Sequence, residues 1–140
     1  MKMWLAALAL LAVPVAPAAA QAPDIVVKGD AARREIERIL RDDNLDTSRL
    51  DAREVADSIG GIGRGRAPDD FWLAYRAHVA AWRRLADAEE AARRSSSASA
   101  AAELEKAERA IDSTFDEVER IARRYGARLP TPPWSIPPTV

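Results

Sequence analysis

Between Ala86 and Glu103 the chain carries no apolar residue larger than alanine, and both flanks of this 18-residue stretch are strongly amphipathic. Upstream, Phe71, Tyr75, His78, Trp82 and Leu85 recur at alternating steps of four and three, widened by Trp72 and Val79. Downstream, Leu104, Ile111, Val118 and Tyr125 fall at strict sevens, with Ala107, Phe115, Ile121 and Ala122 between them. Both periods are helical, so the spacing predicts one helix over 69–94 and another over 98–125. Two arrangements satisfy the bare stretch. One is a single helix from Asp69 to Tyr125; the other is an antiparallel hairpin that turns within Ser95-Ser96-Ser97-Ala98-Ser99. Serine side chains compete for backbone hydrogen bonds, and the middle of a continuous helix would bury little, so the hairpin is the expected form.

The segments before the hairpin are shorter. Asp30 is a suitable N-cap, and Ile36, Ile39 and Leu40 share one face of a helix reaching about Arg41. Asp42-Asp43-Asn44 favours a turn. A second helix is expected from Thr47 or Ser48, with Asp51 completing a capping box and Ala52, Val55, Ala56 and Ile59 forming its stripe. Gly60-Gly61-Ile62-Gly63-Arg64-Gly65-Arg66 ends it, and Pro68-Asp69 opens the next helix. Asp24 to Gly29 is a β-branched run that could form a strand, but no partner strand follows. An extended arm is therefore expected over 21–29. This run is similar to the short segment near the mature N-terminus of TonB-dependent receptors. Leu129 to Val140 contains five prolines, which predicts an extended tail at 129–140 with Trp134 as its anchor. The expected fold is all-α, with short N-terminal helices packed on a long antiparallel helical hairpin in a domain spanning 30–128.

Residues 1–20 stand apart. Lys2 precedes an unbroken apolar run from Trp4 to Val13, Pro14 and Pro17 follow, and Ala18-Ala19-Ala20 supplies small side chains before Gln21. That order is the pattern of a secretory signal peptide, with cleavage expected after Ala20. The alternative is an uncleaved anchor, but the apolar run is well short of the ~20 residues that span a bilayer. Arginine outnumbers lysine 18 to 3, a bias that fits a GC-rich bacterial genome. The product is expected in the periplasm or outside the cell, with no transmembrane segment after cleavage.

Composition then excludes several function classes. There is no cysteine and one histidine, which rules out disulfides and zinc sites built on Cys or several His. No cofactor or metal site is expected. Beyond Ala20 the chain has 20 basic and 22 acidic side chains, a balance that argues against nucleic acid as a partner. The arginine pairs at 33–34, 83–84, 93–94 and 123–124 all have acids at helical spacing and read as solvated faces. Only 28 residues beyond Ala20 are apolar and larger than alanine, so the core is thin.

Candidate functional residues are few. The Gly60–Arg66 loop lacks the Lys-Ser/Thr ending of a phosphate loop, so it reads as a helix end and joint. Arg64 and Arg66 could contact an anionic envelope component. His78 could serve as a base or a pH sensor, but its place in the aromatic stripe predicts a packed histidine. No carboxylate pair sits on an apolar face and no nucleophile motif is present, so catalysis is not expected. Phe71, Tyr75, His78 and Trp82 either form the core or offer a groove for extended chains.

The run Pro68-Asp69-Asp70-Phe71 followed by Ala74-Tyr75 and His78-Val79-Ala80-Ala81-Trp82 resembles small uncharacterised exported helical proteins of alphaproteobacteria. The likeness covers about residues 31–90 and implies an exported helical protein without implying an activity. The architecture is also similar to that of periplasmic helical-hairpin chaperones and stress sensors, whose Leu-Thr-x-x-Gln motifs are absent here. The expected function is a non-enzymatic interaction or structural role, with an envelope protein or a second copy as partner. A holdase-like chaperone, or a stress-sensor accessory, using the Phe71–Trp82 face is the alternative.

Overall fold

The computed structural model describes residues 22–133. The leader at 1–20 and the Trp134 anchor therefore lie outside the described residues. Four α-helices occupy most of the rest: α1 (Ala22–Asp43), α2 (Ala52–Gly60), α3 (Asp69–Arg94) and α4 (Ala98–Arg124), with a 3-10 turn at Thr47–Arg49. No strand occurs among the described residues. The all-α architecture and the α3–α4 hairpin are as the periodicity requires. Within the hairpin the chain leaves helix only at Ser95–Ser97, where the Ser97 hydroxyl caps α4 by accepting from Ala100 N at 3.2 Å.

Two expectations about the first helices need correction. Residues 22–29 are the opening turns of α1, not an extended arm, and Asp30 sits inside the helix rather than at its cap. An unpaired strand leaves its backbone groups without partners, whereas a helix satisfies them within the segment, and that outweighs a modest β-branched penalty. The capping box of α2 lies three residues later than expected. Asp51 Oδ1 accepts from Glu54 N at 2.8 Å, while Asp51 N donates to Glu54 Oε2 at 2.9 Å. Ser48 instead donates to Asp46, which caps the 3-10 turn.

The hairpin is the main helix–helix contact, and α2 lies chiefly along α3. The core falls into two unequal clusters. In the larger, Ile36 and Ile39 of α1, Ile59 of α2, Phe71 and Tyr75 of α3 and Val118 of α4 are almost wholly withdrawn from water. Each such side chain contributes roughly 1.5–3 kcal/mol on burial. The smaller cluster, nearer the tip, buries Ala52, Leu85, Ala86 and Ala107, with Leu104 and Ile111 half-covered against them. The seam of sevens on α4 faces into the fold, with Val118 buried and Leu104, Ile111 and Tyr125 part-buried. Beyond Ala86 on α3 and before Ala107 on α4 no residue is buried. The tip therefore projects about 12 Å past its last buried layer.

The end of α4 is built by glycine. Gly126 adopts φ 69°, and the bonds Gly126 N to Arg123 O and Ala127 N to Ala122 O, both 3.0 Å, turn the chain back over the core. The following segment then runs along α1. Arg128 N donates to Glu37 Oε1 at 3.0 Å, and Asn44 Nδ2 donates to the Thr131 carbonyl at 2.9 Å.

Candidate functional site

His78 is at the centre of the α3–α4 contact, 4% exposed. Its Nε2 accepts from the indole Nε1–H of Trp82, one helical turn on, at 3.1 Å. Its Nδ1 lies 3.0 Å from Thr114 Oγ1 on α4. The proton positions follow from the partners. An indole N–H can only donate, so Nε2 carries no proton. The Thr114 hydroxyl donates to the Ala110 carbonyl at 2.6 Å, so it accepts from Nδ1–H. The imidazole is therefore the neutral Nδ1–H tautomer, in a closed relay from Trp82 through His78 and Thr114 to the α4 backbone. Burial holds its pKa down at about 4. The Phe115 ring stacks at a tilt 5.2 Å away. Both ring nitrogens are occupied, so His78 has no lone pair for a substrate proton. It works as a polar rivet between two helices.

A second polar pair, its tyrosine buried and its aspartate part-buried, joins α1 to α3. The Tyr75 hydroxyl, on a side chain 1% exposed, donates to Asp43 Oδ1 at 3.1 Å and lies 3.4 Å from the Ile59 carbonyl. Burial raises the Asp43 carboxyl to about 6, against a lowering contribution from Tyr75. Burial and the neighbouring Asp43 raise the Tyr75 phenol, which stays protonated and donating. This pair was not foreseen from the sequence, where Asp42-Asp43-Asn44 reads only as a turn. The available signal was an acid at the C-terminal end of a helix, where the macrodipole opposes it.

The Gly60–Arg66 loop is tied down. Arg64 donates to the Ala67 carbonyl at 3.1 Å and pairs with Asp69, while Arg38 of α1 reaches the Gly63 carbonyl at 2.7 Å. Gly65 takes φ 54° with the Glu35 carboxylate packed where a side chain would stand. The loop is a joint whose first arginine is already engaged; Arg66 is exposed. Of the expected contact residues, Phe71, Tyr75 and His78 are buried, Trp82 is half-covered, and Arg64 and Arg66 line the loop. The structure thus places the aromatic stripe in the core, where an extended chain cannot reach Phe71 or Tyr75 without unpacking the fold.

Among the described residues two open grooves lie on the hairpin flanks. One of about 460 Å³ runs between α3 and α4 near Arg84, Asp87, Glu103 and Lys106. Another, about 280 Å³, lies where Asp51, the cap of α2, and Arg53 meet Glu90 and Arg93 of α3. Among the described residues no group of three His, Asp or Glu side chains is arranged to hold a metal ion, and no helix is long and apolar enough to cross a membrane. In comparison with known proteins, the chain matches no protein family, no curated protein and no solved structure.

Proposed function

We propose that the protein is an exported, non-enzymatic helical module that works by presenting its hairpin to an envelope protein or to a second copy of itself. The observation that carries this reading is the division of the hairpin into an anchored base and a projecting tip. The base is fixed by α1, α2 and the returning C-terminal segment. The tip consists of charged and alanine-rich turns with nothing buried between them. A thin chain that extends two helices beyond its own core spends residues on surface rather than on stability. The internal polar groups support the same reading, because His78 and Tyr75 are consumed in joining helices.

Crosslinking the protein in intact exporting cells, followed by mass spectrometry, tests the proposal. The expected result is a crosslink from the 88–108 region to a second polypeptide, on a chain whose intact mass begins at Gln21. A mature protein that retains Met1 would remove the export half of the proposal. A tip that crosslinks only to its own chain would remove the other half.

A further inference from the structure

Charge on the hairpin is sorted by segment along its helices. Residues 71–86 carry Arg76, Arg83 and Arg84 and no acid, whereas residues 103–119 carry seven acids against Lys106 and Arg109. In α3 the exposed side of this segment is formed by Leu73, Arg76, Ala77, Arg83 and Arg84. Among the described residues none of these arginines reaches an acid. The exposed acids nearest on the helix are engaged elsewhere, Asp69 with Arg64 and Asp87 with Arg53. Leu73 is 75% exposed, the one large apolar side chain so open among the described residues. In α4, Glu108, Asp112 and Asp116 are exposed without a basic partner among the described residues, and Glu105 has only the local Arg109 pair.

We propose that the Leu73–Arg84 face of α3 docks on the Ala101–Asp112 face of α4 in a second copy of this chain. The argument is complementarity of sign and of register. Arg76 and Arg83 are seven residues apart, as are Glu105 and Asp112, so both pairs repeat at roughly 10.5 Å along their helices. With the two helices aligned in parallel, Arg76 meets Glu105 and Arg83 meets Asp112. In that register Leu73, three residues before Arg76, falls on Ala101 and Ala102, three to four residues before Glu105. Both alanines are exposed and small enough to admit a leucine between helices. Because α3 and α4 are antiparallel within each copy, the neighbouring hairpin lies inverted. This rests on the interaction reading above and names its partner.

Sedimentation velocity of the purified protein tests the docking, at low salt (~0.01 M) and at ~0.5 M, where exposed charges are screened within a few ångströms. The expected result is a sedimentation coefficient that rises with concentration at low salt and not at high salt. Arg76→Glu with Arg83→Glu, and separately Glu105→Arg with Asp112→Arg, should each weaken association by roughly tenfold or more. All these positions are exposed, so helicity by circular dichroism stays at the wild-type level. Mixing the two double variants restores opposite charge at the contact and should recover association. A monomer at every concentration in low salt overturns the proposal. So does charge reversal without effect, or a mixture that stays monomeric. A wild-type monomer that binds phosphatidylglycerol vesicles through Arg76 and Arg83 assigns the face to lipid and equally overturns it. Failure here, with in-cell crosslinks to a different envelope protein, leaves the interaction reading standing.

Discussion

Replacing Asp43 with asparagine isolates the cost of holding a carboxylate inside the protein at the end of α1. In the folded chain this group titrates at about 6, against 3.8 for an ordinary aspartate. At neutral pH the folded state therefore carries about 3 kcal/mol of unfavourable charge burial. Asparagine keeps an oxygen to accept from Tyr75 and removes the charge. Its amide hydrogens need partners of their own, so the net gain at pH 7 is set at about 2 kcal/mol. The pH profile is the sharper readout. A raised carboxyl pKa contributes stability that is full below 3.8 and disappears as pH rises through about 6. His78 runs the other way. Its pKa is depressed from 6.5 to about 4, so its contribution is present above 6.5 and is lost as pH falls toward 4. Over the shared range the two offset each other in the wild type. In Asp43→Asn the Asp43 offset is gone, and stability should fall by about 2.5 kcal/mol between pH 7 and pH 4 beyond the loss shown by the wild type. Urea unfolding followed by circular dichroism at several pH values measures both profiles. A difference between variant and wild type that stays constant from pH 7 to pH 4 would refute the assignment of a part-buried, charged Asp43.

Three further outcomes follow from the packing. Trp82→Phe removes the indole N–H that donates to His78 Nε2. It should cost about 1–3 kcal/mol and raise the His78 pKa, which a proton NMR titration of the single imidazole reads directly. Gly65→Ala forces a side chain at φ 54° against Glu35 and should lose about 1–2 kcal/mol by thermal melting. Phe71→Ala should cost about 3–5 kcal/mol, whereas Leu73→Gln, two residues away and 75% exposed, should stay within about 0.5 kcal/mol of wild type in denaturant titration.

Sequence periodicity located the hairpin well because its information is local. The aromatic steps from Phe71 to Leu85 can be satisfied only by a helix, and α3 indeed runs Asp69–Arg94. The start of α1 was harder to read because Asp24–Gly29 combines strand-forming residues with no partner, and local preference yields to backbone satisfaction there. Ion pairs show the same limit on a smaller scale. Glu105–Arg109 and Glu119–Arg123 form at the expected spacing. Arg93, however, chooses Glu90 over Glu89, and Arg120 chooses Glu117 over Asp116. Helical spacing permits two acids in each case, and rotamer geometry selects one. Within the site, burial of His78 was legible from its neighbours, but its closure through Thr114 required α4 to be set against α3. The Asp43–Tyr75 bond joins residues 32 positions apart and left no periodic trace.

The bare tip also determines what happens when the chain is cut. Ser95–Ser97 carries no buried side chain and joins helices whose contacts all lie below it. A protease that opens this loop severs one covalent link without removing a contact from either core cluster. The two fragments, one ending near Arg94 and the other beginning near Ala98, keep every surface that holds them together, including the Schellman turn and the strap along α1. Nicked protein should therefore survive as a two-piece complex that melts more easily at high dilution. In the same way, the tip is where a foreign sequence can be inserted, or a permuted chain begun, at the cost of loop closure alone.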